Sequence, residues 1–178
     1  YGYCNKTIWP LFHYFPNMTT WEHAHWEAYL RANRKFYQAV EQHLDDNAAV
    51  WVHDYQLMLL PGFIRDNHPN VKIGFFLHIP FPSYEIFRLL PMREQILHGI
   101  LGADLIGFHT YDYARHFFSS VRRLLGYENA FGKVNLGHRV AKADAFPMGI
   151  DYERYNKAGK VGKIREKTHK LLEETSGK

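Results

Sequence analysis

The run "VKIGFFLH", residues 71 to 78, constrains the fold more than any other stretch. After Lys72 its apolar residues follow one another without alternation, so neither face of a strand built from it tolerates water. A strand of that kind belongs in a parallel sheet covered by helices. Two further runs have the same character, "AAVWVHDY" (48–55) and "ADLIGFH" (103–109). Segments with helical spacing separate them: "QLMLLPGFIRDN", interrupted at Pro61-Gly62, then "SYEIFRLLPMREQILHGILG", broken at Pro91, then "YDYARHFFSSVRRLLG", stopped by Gly126. Residues 20–45 read as an amphipathic helix with Thr19-Thr20 as its cap, placing Trp26, Tyr29, Asn33, Phe36, Tyr37 and Val40 at three- and four-residue steps. A last extended run, "HRVAKADAFPMGID", follows a stretch from Gly126 to Gly137 that reads as a mobile loop. The fold class is α/β: a Rossmann-like parallel sheet with helices on both faces, over residues 1–150, with 151–178 as a hinge or linker.

Composition narrows the function classes. With 46% apolar residues in 178, the chain has enough for a core. Its formal charge of +4 is concentrated in the last 22 residues, which hold seven Lys/Arg against three Glu, and the rest is neutral. Mixed Lys/Glu spacing in that tail reads as a solvated helix face, and the chain as neither a nucleic-acid nor a membrane binder. No segment approaches the roughly 18 uninterrupted apolar residues of a membrane helix. Cys4 is the one cysteine, so no internal disulfide forms and a reducing cytoplasm is expected.

In a parallel α/β sheet ligands bind beyond the carboxyl ends of the strands. Three polar clusters fall there: His53-Asp54-Tyr55, His78 and His109-Thr110. Asp54 reads equally well as the cap of the next helix and as a ligand to substrate, and His78 alone as a core histidine. His109-Thr110 reads as a helix entry. Two successive strands ending in ionisable residues at the binding face shift the reading of Asp54 and His78 toward a site. The segment Ile79-Pro80-Phe81-Pro82 then restricts the loop behind His78, because both prolines fix φ and constrain the residues before them. Metal binding is not expected, since no His array such as H-E-x-x-H occurs. No glycine-rich phosphate loop or G-x-S-x-G elbow is present either.

The motifs "NKTIWPLFHY", "WVHDYQLMLLP", "IGFFLHIPFPSYEIFRLLP", "GADLIGFHTYDYARHF" and "FPMGID" occur in the order and spacing of trehalose-6-phosphate synthases, and over residues 1 to 152 the chain resembles that family. The resemblance implies the amino-terminal half of a GT-B glycosyltransferase that moves glucose from UDP-glucose to glucose 6-phosphate with retention. It implies that Trp9 lines the glucose 6-phosphate site, that Asp54 binds hydroxyls of that acceptor, and that His78 contacts the donor glucosyl group. Asp54 and His78 are the candidate catalytic residues. Cofactor and metal are both expected to be absent, and the partners are the two small-molecule substrates and a second copy in a homo-oligomer. "CNKTIWPLFHYF" is most similar to members with a phosphatase domain further along the chain.

The resemblance also implies a fragment. The acceptor-site tyrosine of the family falls just ahead of Tyr1, and the donor-covering loop and the residues that grip the donor diphosphate and ribose have no counterpart here. The chain by itself is expected to transfer no sugar. Two alternatives remain open: a catalytically silent regulatory relative that binds a sugar phosphate, and a sister transferase with another acceptor or nucleotide sugar.

Overall fold

The computed structural model describes residues 1–45, 47–159 and 162–175. It divides into two compact units, Tyr1–Pro147 and Met148–Lys178. The division falls inside Phe146-Pro147-Met148, just ahead of the boundary read from the sequence.

The first unit is built on a six-stranded sheet of β1 (Ala49–His53), β2 (Lys72–Phe76), β3 (Leu105–Phe108), β4 (Asn129–Ala130), β5 (Lys133–Asn135) and β6 (Val140–Ala145). The spatial order is β1-β2-β3-β6-β5-β4. β1, β2, β3 and β6 run parallel, as the alternation of apolar runs and helices requires, and β5 and β4 close the sheet antiparallel. The sheet is therefore mixed. The stretch from Gly126 to Gly137, read as a mobile loop, contains the β4–β5 hairpin. Its turn puts Phe131 and Gly132 at φ 49° and 74°, two positive values in succession that match the right-handed twist of the flanking strands. With strands of two and three residues, the pair offered no periodicity to read.

Helices α1 (Trp9–Phe12), α2 (His23–Glu41), α3 (Leu60–Asn67), α4 (Tyr84–Phe87), α5 (Arg93–Ile100) and α6 (Tyr111–Leu125) complete this unit. Thr19-Thr20 does not cap α2. Glu22 holds the cap position without a side-chain bond, while the backbone of Thr20 is tied to Thr7 and Lys6. Pro61 sits in the first turn of α3, where its missing N–H costs nothing, so it begins that helix and does not interrupt one. Thr110 caps α6 by accepting from the Tyr113 N–H at 3.3 Å, and Gly126 ends it at φ 72°.

Strand register decides which side chains the helices cover. Val52, Phe75, Ile106 and Ala143 lie abreast and are buried on one face, where α3 rests on β2 and α6 on β3 and β6. The opposite face carries the line Trp51–Gly74–Leu105–Lys142. Trp51 is 69% exposed there, and β1 forms the edge of the sheet.

One contact fastens the helical layer to the carboxyl ends of the strands. The buried Tyr29 hydroxyl of α2 donates to the Tyr55 carbonyl at 2.8 Å and accepts from the Met58 N–H at 3.1 Å, and Asn33 donates to the Gln56 carbonyl at 3.0 Å. Tyr29→Phe leaves both backbone groups unpaired and is expected to cost about 1–3 kcal/mol. It would appear as a lower urea midpoint at unchanged slope.

In the second unit α7 (Tyr152–Ala158) is capped by Asp151, which accepts from the Arg154 N–H at 3.1 Å. α8 (Gly162–Thr175) buries none of its residues, as a solvated basic helix would. The tail's Lys160, Val161 and residues 176–178 lie outside the described residues.

Candidate active site

Three imidazoles line the carboxyl ends of three adjacent parallel strands. His53 ends β1, His78 lies two residues beyond β2, and His109 directly follows β3. The register sets His53, Phe76 and Gly107 abreast on the open face, and the next same-side positions are His78 and His109. Ring contacts bear this out: Phe76 lies 4.8 Å from His78 and 5.1 Å from His109, and the two imidazoles are 5.6 Å apart, centroid to centroid. Gly107 makes room for this packing, since a Cβ there would stand 2.5 Å from Cδ2 of Phe76.

Asp54 is held in an unusual backbone conformation, φ 71° and ψ 172°, a region that residues other than glycine adopt at a cost. Neighbouring bonds enforce it. Its N–H donates to the Phe76 carbonyl at 2.8 Å, and its Oδ1 accepts from the N–H groups of Tyr55 at 3.0 Å and of His78 at 3.2 Å. Oδ2 has no hydrogen-bond partner among the described residues. The carboxylate thus spends one oxygen on structure, as the cap reading expects, and its other oxygen is unpaired among the described residues.

His78 is held from two sides. Its backbone N–H is taken by Asp54, and its Nε2 lies 2.9 Å from Nδ1 of His53, with the two ring planes 21° from parallel. Burial pushes its pKa below the ordinary histidine value; the Asp54 charge pulls the other way, and His53 and His109 add to the lowering. The net shift favours the neutral ring.

Behind His78 the chain is fixed by more than its prolines. Phe81 is fully buried, its carbonyl faces Nδ1 of His116 at 3.1 Å, and the Ser83 N–H donates to the Tyr14 hydroxyl at 2.8 Å. Tyr14 itself has φ 66°, a second non-glycine residue in the left-handed region near this loop.

Trp9 approaches from the amino-terminal segment. A π-helical turn over Tyr3–Ile8 leads into α1, and Trp9 at its start is 45% exposed. Its ring lies 4.0 Å from that of His13 and 5.8 Å from that of Tyr55, the residue after Asp54. Trp9, Asp54 and His78 thus belong to one chain of contacts. Sequence reasoning left out His53 and His109 as site members; the signal for both was their position at the ends of strands that the run pattern had already located.

Among the described residues no group of three or more His, Cys, Asp or Glu is arranged to hold a metal ion. A cavity of about 570 Å³ opens elsewhere, lined by residues of α3 and α5 together with Arg139. Its guanidinium groups are already committed: Arg65 pairs with Asp104 at 2.7 Å, and Arg139 donates to the carbonyls of Ala103 and Leu101. The imidazole row and Asp54 lie at the carboxyl ends of the parallel strands, where the fold binds ligands.

Known proteins resemble the chain in sequence and in fold. The sequence model of glycosyltransferase family 20 matches residues 1–178. The chain is 47% identical to the UDP-forming alpha,alpha-trehalose-phosphate synthase 1 of Aspergillus fumigatus over 99% of its own length and 35% of that protein's. It therefore spans about a third of the length of such relatives. A structure of the N-terminal domain of Candida albicans trehalose-6-phosphate phosphatase superposes with a TM-score of 0.84 at 37% identity, covering 96% of this chain and 37% of that one. The UDP-forming alpha,alpha-trehalose-phosphate synthase of Burkholderia xenovorans, solved in complex with glucose 6-phosphate, gives 0.84 at 27% identity, covering 96% and 39%. With its sheet, its motifs and its full-length match in agreement, the chain belongs to glycosyltransferase family 20.

Proposed function

We propose that this chain is the acceptor-side part of a retaining hexosyltransferase that joins glucose from UDP-glucose to glucose 6-phosphate, giving trehalose 6-phosphate. The observation that carries the reading is the Asp54–His78 pair: a carboxylate with one free oxygen and an imidazole with its Nδ1 unbonded, locked together where two parallel strands end. The free Oδ2 suits acceptor hydroxyls, His78 suits the donor glucosyl group, and Trp9 provides an apolar wall for the glucose 6-phosphate ring. No nucleophile is held against a base here, so these groups act by positioning and by stabilising charge at the reacting sugar. The reading needs no metal. The donor diphosphate and ribose would be bound by a second domain of a longer polypeptide in the cytoplasm, and a homo-oligomer is compatible with it.

The test is UDP release by the full-length protein. Release is expected to require UDP-glucose and glucose 6-phosphate together and to fall about 10²–10³-fold in His78→Ala, the size of effect found when one preorganised transition-state contact is removed. The chain 1–178 alone is expected to release no UDP. A full-length protein that binds glucose 6-phosphate and releases nothing would favour a second reading, a silent sugar-phosphate-binding domain. That reading has its own support, because the Candida albicans neighbour with this fold is named as part of a phosphatase.

A further inference from the structure

The imidazole of His53 does something that the proposed transfer leaves unexplained. His53 and Asp54 are consecutive, and both hold His78: Asp54 takes its backbone N–H, and His53 takes its ring. The His53 ring is steadied in turn by Trp51, 4.4 Å away on the open face of β1. A hydrogen bond between the two ring nitrogens contains one proton. Whichever ring donates it, Nε2 of His78 is committed, and the proton state of its free Nδ1 follows from that bond.

We infer that His53 is a positioning residue that fixes the ring orientation and the single tautomer in which His78 meets the transferred sugar. The inference rests on the proposed sugar-transfer reading for its consequence in catalysis, and on the 2.9 Å contact for its physical basis. The other groups facing His78 cannot replace His53. Asp54 engages its backbone, Phe76 has no polar atom to offer, and His109 packs at 5.6 Å with its plane turned 60°. Removal of the His53 nitrogen therefore frees His78 to rotate about its side-chain torsions and to exchange its proton between both nitrogens.

The experiment uses the full-length protein in three forms: wild type, His53→Phe, which keeps a ring without nitrogen, and His53→Asn, whose amide can place a polar atom where Nδ1 stood. His53 is exposed in this chain and lies outside its buried core. Long-range ¹⁵N–¹H spectra of histidine-labelled protein, with His78 assigned by its loss in His78→Gln, report the tautomer, and UDP release reports kcat and the acceptor KM. Wild type is expected to hold His78 in one neutral tautomer and His53→Phe to mix the two. In His53→Phe kcat should drop about 10–100-fold, as for other residues that orient a working histidine, with KM within about two-fold. His53→Asn should restore most of both signals. An unchanged His78 tautomer in His53→Phe overturns the inference whatever the rate does, and so does a shifted tautomer at unaltered kcat. If the wild type itself releases no UDP, the sugar-transfer reading has failed, and the tautomer spectra alone then decide whether His53 sets the state of His78.

Discussion

Asp54→Asn is expected to leave the fold intact and to lower kcat/KM for the acceptor about 10²-fold, the loss appropriate to charge-assisted hydrogen bonds from one or two sugar hydroxyls. The two oxygens of the carboxylate do different work. Oδ1 accepts from the N–H groups of Tyr55 and His78, and an amide oxygen can take over both bonds. On the proposed reading Oδ2 is the ligand oxygen, and in Asn it is replaced either by a neutral NH₂ or by a group turned away from the sugar. The thermal midpoint of Asp54→Asn should therefore stay within a few degrees of wild type while activity collapses.

Asp54→Ala separates the same terms from the other side. It loses the ligand oxygen and also strands two backbone donors, which costs about 1–3 kcal/mol of stability. Asp54→Gly loses the same bonds but relieves a backbone held at φ 71° and ψ 172°, a strain on the order of 1–3 kcal/mol. Gly is thus expected to be the more stable of the two, although both are inactive. The opposite order in a urea titration would mean that the strain at Asp54 is not real; full activity in Asp54→Asn would remove Asp54 from the acceptor site.

These distinctions were only partly legible in the sequence. The parallel core was legible because "VKIGFFLH" and its two companions are short apolar runs separated by helical segments, and because Gly126 and Thr110 mark the ends of α6 with ordinary capping chemistry. The β4–β5 hairpin was not, since a two-residue and a three-residue strand carry no periodicity and Gly132 alone does not announce a turn. The cap of α2 was misread because Thr19-Thr20 had the right residue type, while Thr20 was already engaged with Thr7 and Lys6. In the candidate site, residue type and strand end were enough to single out Asp54 and His78, which the structure brings together. What could not be read was geometry across strands: that Asp54 reaches over to the backbone of His78, that His53 pairs with its ring, and that Phe76 and His109 continue the row. Each depends on the register of β1 against β2 and β3, which a single sequence does not display.

Phe81→Ala is expected to be among the most damaging substitutions in the first unit, costing about 3–5 kcal/mol, the usual loss for deleting a buried aromatic ring. From "IPFP" alone the two prolines receive the credit for a rigid loop. The structure divides it differently. The Phe81 ring has no exposed surface and meets Phe12 at 5.7 Å, Phe87 at 4.8 Å, Phe108 at 6.0 Å and Phe117 at 5.5 Å, one from each of α1, α4, β3 and α6. The loop behind His78 is therefore nailed to the core at its centre, and the prolines limit how the chain enters and leaves that anchor. Pro80→Ala acts mainly by enlarging the freedom of the unfolded chain and should cost only about 0.4–1 kcal/mol. The unequal penalties can be read from urea midpoints of the three proteins. Activity follows the same order, because a cavity at Phe81 lets the segment from Ile79 to Ser83 move and carries His78 with it, whereas Pro80→Ala leaves the anchor in place. A Phe81→Ala protein as stable as Pro80→Ala would show that the loop is held by its prolines after all, and that the aromatic cluster beneath it does not aim the histidine.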